Sequence, residues 1–342
     1  MAVGNEKCFL IDENKQLWCA DISSNVGHIT TEFKLVPELK NIACKAVEAT
    51  THYLILTEEG DVYSFGQNLD GQCGLRSLVN SSQPMKILLS SRIIDIAAGY
   101  YFSLMLDENG IVWVCGNNTS GKLGCAAQKK QRQPIKLENL PSINSVSAGY
   151  NHSLLLDVEG NVWAFGANGY GQLGLGITGL TTVNVPTKLE LPPIAAIAAG
   201  NYFSLFLDKD GFVWGCGSNA NAGCLESDAI RIDPYKLEYL PNVVSISASS
   251  NGSFISDAAG LYSTHYANVY SHISPGHKVH KQAVKIYDDV AAVASGVVSQ
   301  LILDNNFDVY LRTVSDRMPQ KIQTPQMGRA HLQIKSANKL ST

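Results

Sequence analysis

The sequence predicts an all-β protein: a seven-bladed β-propeller of four-stranded blades, one domain across residues 1–342. Three observations predict it. A unit of roughly 50 residues recurs seven times in register, and a fixed period of that length signals an array or propeller. Each unit carries a D-x-x-G hairpin signal, or a one-residue variant of it, followed by an aromatic residue. Each also ends in a short segment with a Lys, preceded in five copies by a Pro, as suits an exposed edge strand.

The clearest copy runs from Ile143 to Leu191. The hairpin glycines are Gly60, Gly110, Gly160, Gly211 and Gly260, with Lys15 and Phe307 in the terminal copies. Three residues earlier stand Asp12, Thr57, Asp107, Asp157, Asp208, Asp257 and Asp304. Asp can hydrogen-bond the backbone two residues on, and Gly tolerates positive φ, so the pair closes a tight turn. The aromatic column is Trp18, Tyr63, Trp113, Trp163, Trp214, Tyr262 (after a one-residue deletion) and Tyr310. It holds all 4 tryptophans of the chain.

Within a unit the first strand ends in small residues, as at Ala97-Ala98-Gly99, which suits a crowded axis. The second is continuously apolar, as in a strand buried on both faces. The third carries the aromatic column. The fourth carries Lys34, Lys86, Lys136, Lys188, Lys236, Lys285 or Lys321 and reads as the outer rim. The blades fall at about residues 7–36, 42–89, 93–138, 143–190, 194–238, 243–286 and 290–323. The first copy lacks a small-residue strand, and residues 331–337 match that pattern with no blade to follow. The expectation is that this C-terminal strand completes the N-terminal blade and closes the ring.

The motif G-x-x-H-S, apolar run, D-x-x-G, aromatic, G-x-N-x-x-G-Q-L-G is nearly complete from Gly149 to Gly174. It is good from Gly99 to Gly124 and from Gly200 to Gly223, and partial from Ala49 to Gly74. These residues resemble the regulator of chromosome condensation repeat family over essentially the whole chain. The resemblance implies a seven-bladed propeller. It also implies a protein partner, since the founding member is an exchange factor for the Ran GTPase. In that member acidic residues of the G-x-x-H loops face the GTPase and a β-hairpin wedge projects from one blade. Here those loops are rich in Tyr and Asn, carry no acid, and no insertion has the length of a wedge.

Composition narrows the classes. The net charge is −4 with no basic run, which disfavours nucleic acid as a partner. No apolar stretch reaches the length of a membrane span, and the opening MAVGNEKCFLIDENK does not read as a secretory signal. The 8 cysteines form no C-x-x-C pair, and Cys115 and Cys216 replace Phe65 and Phe165 of sister blades. They read as buried free thiols in a reducing compartment, cytoplasm or nucleus. The Asp column repeats at every turn, so it is structural rather than catalytic. His52 and His152 alternate with Phe102, Phe203 and Gly252, so that position packs rather than catalyses. No cofactor, no catalytic residue and a monomer are expected. His265, His272, His277 and His280 cluster in the divergent sixth copy. Their spacing matches no strong zinc motif, and they are weak metal candidates beside a solvated loop or a partner contact.

The expected partner-binding residues are Thr50, Thr51, Tyr100, Tyr101, Tyr150, Asn151, Asn201 and Tyr202. Strand direction gathers them at one mouth of the propeller beside the G-Q-L-G loops. Tyr is favoured in interface cores, although each ring could equally pack on the neighbouring blade. The function read from the sequence is a protein-interaction propeller, with a small GTPase among the candidate partners. The alternative is a guanine-nucleotide exchange factor for a Ran-like or other small GTPase. A photoreceptor role lacks its clustered tryptophans, and no chain is left over for a ligase domain.

Overall fold

The computed structural model describes residues 1–22, 29, 31–125, 129–177, 179–218, 230–237, 242–248, 253–257, 260–263, 284–287, 290–295, 299–304, 306, 308–313, 320–322 and 324. Among these residues stand seven four-stranded antiparallel sheets, one for each sequence copy. Sheet one is Ala2–Val3, Lys7–Ile11, Leu17–Asp21 and Lys34–Leu35. Sheet two is Cys44–Ala49, His52–Thr57, Val62–Gly66 and Ser81–Lys86. Sheet three is Ile93–Gly99, Phe102–Asp107, Val112–Asn117 and Lys130–Lys136. Sheet four is Ile143–Ala148, His152–Asp157, Val162–Ala167 and Thr182–Lys188. Sheet five is Ile194–Ala199, Phe203–Asp208, Val213–Gly217 and Arg231–Lys236. Sheets six and seven span Ser245–Tyr287 and Val290–Lys321 in the same manner.

Every residue of the second strands of sheets two to five is buried, which accounts for their unbroken apolar pattern. The core lies between sheets, not within them. Leu54, Leu56 and Cys73 of sheet two share one buried cluster with Ile96, Met105 and Cys115 of sheet three. Val3, Cys8 and Leu10 of sheet one share another with Leu301, Leu303 and Leu311 of sheet seven. Each buried Leu contributes about 1.5–3 kcal/mol, so a sheet alone would forfeit most of its stabilisation.

One interaction recurs in the hairpins of sheets one, three, four, five and seven. Oδ1 of Asp157 accepts the backbone N–H of Glu159 and of Asn161, at 3.0 and 2.8 Å. Its Oδ2 accepts the indole N–H of Trp163 at 3.0 Å. Asp12, Asp107 and Asp208 repeat this with Trp18, Trp113 and Trp214 at 2.8, 3.0 and 2.9 Å. Asp304 accepts the Tyr310 hydroxyl at 3.3 Å. Burial alone would raise the Asp157 pKa, but the donors from Trp163, Asn161 and Glu159 outweigh it and hold the carboxyl below its usual value. In sheet two Thr57 takes the Asp position and accepts one backbone N–H, from Asp61. There Tyr63 replaces Trp.

The clamp reaches the rim. Trp113, Trp163 and Trp214 stand directly opposite Lys136, Lys188 and Lys236 of the outer strands. Lys136 Nζ lies 4.9 Å from the Trp113 ring centroid, and Lys236 Nζ lies 3.5 Å from that of Phe212. Sheet one departs, with Leu35 opposite Trp18 and Lys34 opposite Cys19.

The expectation for residues 331–337 is corrected. The inner edge of the Lys7–Ile11 strand is held by Ala2–Val3, with Ala2 opposite Phe9 and Val3 opposite Cys8. The reason is local: Gly4 N–H donates to the Lys7 carbonyl at 2.9 Å, so a hairpin supplies the strand with little loop-closure entropy. Residues 331–337 themselves lie outside the described residues.

Neighbouring sheets are latched by polar bonds. Ser103, Ser153 and Ser204 hydroxyls donate to the carbonyls of Gln72, Lys122 and Gln172 in the preceding sheet, at 2.6, 2.7 and 2.6 Å. His52 Nε2 lies 2.7 Å from Ser103 Oγ, and His152 Nε2 lies 3.0 Å from Ser204 Oγ. Each serine proton is already given to a carbonyl, so each imidazole carries its proton on Nε2 and donates to the serine. Nδ1 of His152 is buried without a partner. Burial pushes both imidazoles down to about 3. Both rings are fully buried, as a packing position requires.

Two outcomes are expected. Asp157→Ala should lower stability by about 3 kcal/mol, because buried donors to a charged group are orphaned, whereas Asp61→Ala at an exposed pair should change it by less than about 1 kcal/mol. Equal shifts of the two denaturation midpoints would refute the clamp. The second outcome concerns acid. The histidines are depressed below their unfolded value of 6.5, so their contribution is complete above that pH and is lost as pH falls towards about 3. His152→Phe, which copies Phe102 and Phe203, should flatten the stability–pH slope between about pH 6 and 4.5 by up to about 1.4 kcal/mol per unit. An unchanged slope would show that His152 is not buried neutral.

Candidate functional site

The loops joining first to second strands lie at the same end of the sheets as those joining third to fourth strands. The steric reason for G-x-x-H is visible here. A Cβ on Gly99 would stand 2.0 Å from the Phe102 ring, and one on Gly149 would stand 2.5 Å from His152. In sheets three, four and five the ring at the start of the second strand packs against the glycine three residues before it. That closeness lets the loop backbones reach across. Tyr100 N–H donates to the Gly149 carbonyl and Tyr150 N–H to the Gly200 carbonyl, each at 3.3 Å.

Four of the eight expected residues are thereby joined. The Tyr100 and Tyr101 ring centroids lie 4.0 Å apart, with the Tyr101 hydroxyl donating to that of Tyr100 at 3.0 Å. Tyr100 stacks on Tyr150 at 4.1 Å and 17°. Tyr150 meets Tyr202 at 5.8 Å. Tyr202 meets Tyr170 at 4.7 Å. The result is a continuous ladder of five tyrosines across sheets three, four and five. The four expected members are half-buried; Tyr170 is 45% exposed. Both readings of the rings therefore hold geometrically: each packs on its neighbour and each keeps a free side. The hydrogen bond to Tyr100 raises the Tyr101 pKa to about 12, and burial does the same for Tyr150. Tyr101 and Tyr150 therefore keep their hydroxyl protons at ordinary pH.

The other four expected residues play different parts. Thr50 Oγ1 donates to the Gly99 carbonyl at 3.1 Å, tying sheet two to sheet three. Thr51 is buried, which removes it from any contact surface. Asn151 Oδ1 accepts from Lys122 Nζ at 2.6 Å. Asn201 is half-buried and stands outside the ladder. His265, His272, His277 and His280 lie outside the described residues. Among the described residues no group of three or more His, Cys, Asp or Glu side chains could hold a metal ion. No described helix is long and apolar enough to cross a membrane.

Sequence reasoning missed three features. Tyr170 extends the ladder, and its signal was an aromatic inside a G-x-N-x-x-G loop. Lys122 stands where sister loops carry Gln72 and Gln172, and the signal was G-K-L-G in place of G-Q-L-G. It is 3% exposed and donates to the Tyr100 carbonyl at 3.0 Å as well as to Asn151. Burial pulls its pKa down to about 8 against the opposing field of Asp70. Tyr101 has φ +65°, a left-handed conformation that costs a non-glycine residue about 1–2 kcal/mol, and nothing in the sequence announces it.

Comparison with known proteins follows this geometry. Human WBSCR16 superposes with a TM-score of 0.74 at 18% identity, covering 87% of this chain and 85% of that one. Prp20p of Saccharomyces cerevisiae, whose binding to Gsp1p and histones has been described, gives 0.71 at 22% identity, covering 94% and 82%. The ACR4 receptor-kinase ectodomain of Arabidopsis thaliana gives 0.53 at 12% identity, covering 93% of each chain. At these identities the likeness establishes the β-propeller fold and nothing finer. A search of curated proteins finds no sequence match. The RCC1-like domain model matches residues 1–296, the greater part of the chain, and this protein belongs to that family.

Proposed function

We propose that this protein is a binding propeller that holds a protein partner on its tyrosine face. In this reading the seven sheets close into one ring over residues 1–342, with sheet one packed on sheet seven. The partner-binding residues are Tyr100, Tyr101, Tyr150, Tyr202 and Tyr170, with Thr50, Asn151 and Asn201 at their border. The observation that carries the reading is Tyr101. A large aromatic held at φ +65° on a half-exposed loop stores strain that packing alone does not require, since Thr51 and Asn151 fill the sister positions without it. The 7 described cysteines are free thiols, with burial raising Cys8, Cys44 and Cys73 to about 12, in keeping with a reducing compartment. Guanine-nucleotide exchange on a small GTPase is the second reading. It is motivated by the family and by Prp20p, which binds Gsp1p, and it needs differential binding rather than a catalytic side chain.

Affinity capture with the intact protein, compared with Tyr101→Asn and Tyr150→Ala, tests the face. Truncating a central aromatic costs about 2 kcal/mol or more, roughly thirtyfold in affinity. The double variant should lose its partner, while Tyr101→Asn alone should leave the melting temperature unchanged or higher because Asn tolerates positive φ. Charge reversal at Lys136 and Lys188 on the rim should leave binding intact. Loss of the partner on rim reversal, with retention in the tyrosine variants, would move the site. Faster release of fluorescent nucleotide from a captured GTPase would establish exchange.

A further inference from the structure

The tyrosine ladder has two unlike ends. At the Tyr101 end lie the third-to-fourth-strand loops of sheets two and three. Together with the start of the outer strand Lys130–Lys136 they carry Arg76, Lys122, Lys129, Lys130 and Arg132 against a single acid, Asp70. Asp70 is already committed: it pairs with Lys130 at 2.9 Å and accepts the Asn117 side-chain N–H at 3.2 Å. Arg76, Lys129 and Arg132 are exposed. The sheet-two loop packs on the outer strand of sheet three, since a Cβ on Gly71 would stand 2.7 Å from Arg132 Cα. Beneath the rings, Lys122 buries an ammonium whose hydrogen bonds go to a carbonyl and an amide oxygen rather than to a carboxylate. At the Tyr170 end the loop 167–181 carries no charged residue, the neighbouring outer strand sets Arg231 and Asp233, of opposite sign, against its Gly171 and Gly176, and Tyr170 and Ile177 are 45% and 53% exposed. A local positive excess on a chain of net charge −4 is an uneven distribution of the kind that selects a partner by complementarity.

We propose that the segment seated on this face is an acidic stretch of a protein partner, extended along the ladder with carboxylates at the Tyr101 end and apolar side chains at the Tyr170 end. The inference rests on the reading of the tyrosine face as the partner site. Charge complementarity and the aromatic run select the class. Lys129 stands close to Tyr101, since Asn117 N–H donates to the Tyr101 carbonyl and Asn118 N–H to the Lys129 carbonyl, each at 2.8 Å, and the far end of the ladder offers apolar contact rather than further phosphate neutralisation, so a peptide fits where a nucleic acid would not. Lys122 is a positioning charge: it contributes a positive field from below the rings without touching the peptide.

The test uses the full chain and fluorescein-labelled peptides of about twelve residues, half glutamate and half alternating leucine and serine, in both block orders. Counterparts carry glutamine for glutamate. Fluorescence anisotropy in low salt should show the glutamate peptide in one order binding about tenfold or more tighter than its glutamine counterpart, with the gap closing at about 0.5 M salt. Lys129→Glu combined with Arg132→Glu should abolish the gap. Lys122→Gln, which copies Gln72 and Gln172, should narrow it severalfold without lowering the melting temperature. Equal binding of both peptides, binding of neither at millimolar concentration, or tighter binding of a DNA duplex or a phosphatidylserine vesicle would overturn the proposal. The two levels separate cleanly. Equal peptide binding that is lost in Tyr101→Asn sinks the acidic class and keeps the face. Glutamate-selective binding that survives both Tyr101→Asn and Tyr150→Ala sinks the face.

Discussion

The buried carboxylate at the start of the hairpins of sheets one, three, four, five and seven is the constraint on which the remainder of those blades depends. One oxygen of Asp157 closes the turn by taking two backbone N–H groups, and the other takes the Trp163 indole. The turn and the orientation of the ring are thus set together. The ring then faces the outer strand at Lys188. An indole N–H needs a partner when buried, and an ionised carboxylate needs several. Each satisfies the other, so neither desolvation penalty stands alone. Deleting one member leaves the other stranded, which is why the pair matters more than its net hydrogen-bond energy suggests.

Much of this was legible. The period, the four strands per unit, the buried second strand and the exposed lysine edge could all be read from spacing and polarity. The Asp and aromatic columns were read as two separate features, a turn and a core, because a side-chain bond six residues apart leaves no periodic trace. The first sheet was misread for a different reason. Ala2–Val3 is too short to show a strand pattern, and residues 331–337 matched that pattern better. A short local hairpin prevails over pattern quality because it closes at lower entropy.

The mouth was legible in its residues and less so in its geometry. Tyr100 and Tyr150 share one position of the repeat and Tyr101 and Tyr202 the next, so their neighbourhood followed from the repeat. Their direct stacking depends on how far adjacent sheets are rotated, which sequence spacing does not encode. Thr51 shows the limit in the other direction: it shares its position with Tyr101 yet is buried. The departures from symmetry were visible as letters, Lys122 for glutamine and Tyr170 inside a glycine loop, but their consequence needed coordinates.

The packing and binding readings of the tyrosines are not rivals. A ring stacked at 4.1 Å on its neighbour has already lost much of its rotational freedom. Association normally pays that ordering at the moment of contact, about 0.5–1.5 kcal/mol for each immobilised side chain. In the ladder it is paid during folding, by the same contacts that lace sheet three to sheet four and sheet four to sheet five. The exposed sides of the rings then form a rigid aromatic strip with fixed hydroxyl donors. Interblade packing is in this sense what prepares the surface. The strain at Tyr101 and the desolvated charge at Lys122 are the two features that packing leaves unexplained, and both lie at the same end of the strip.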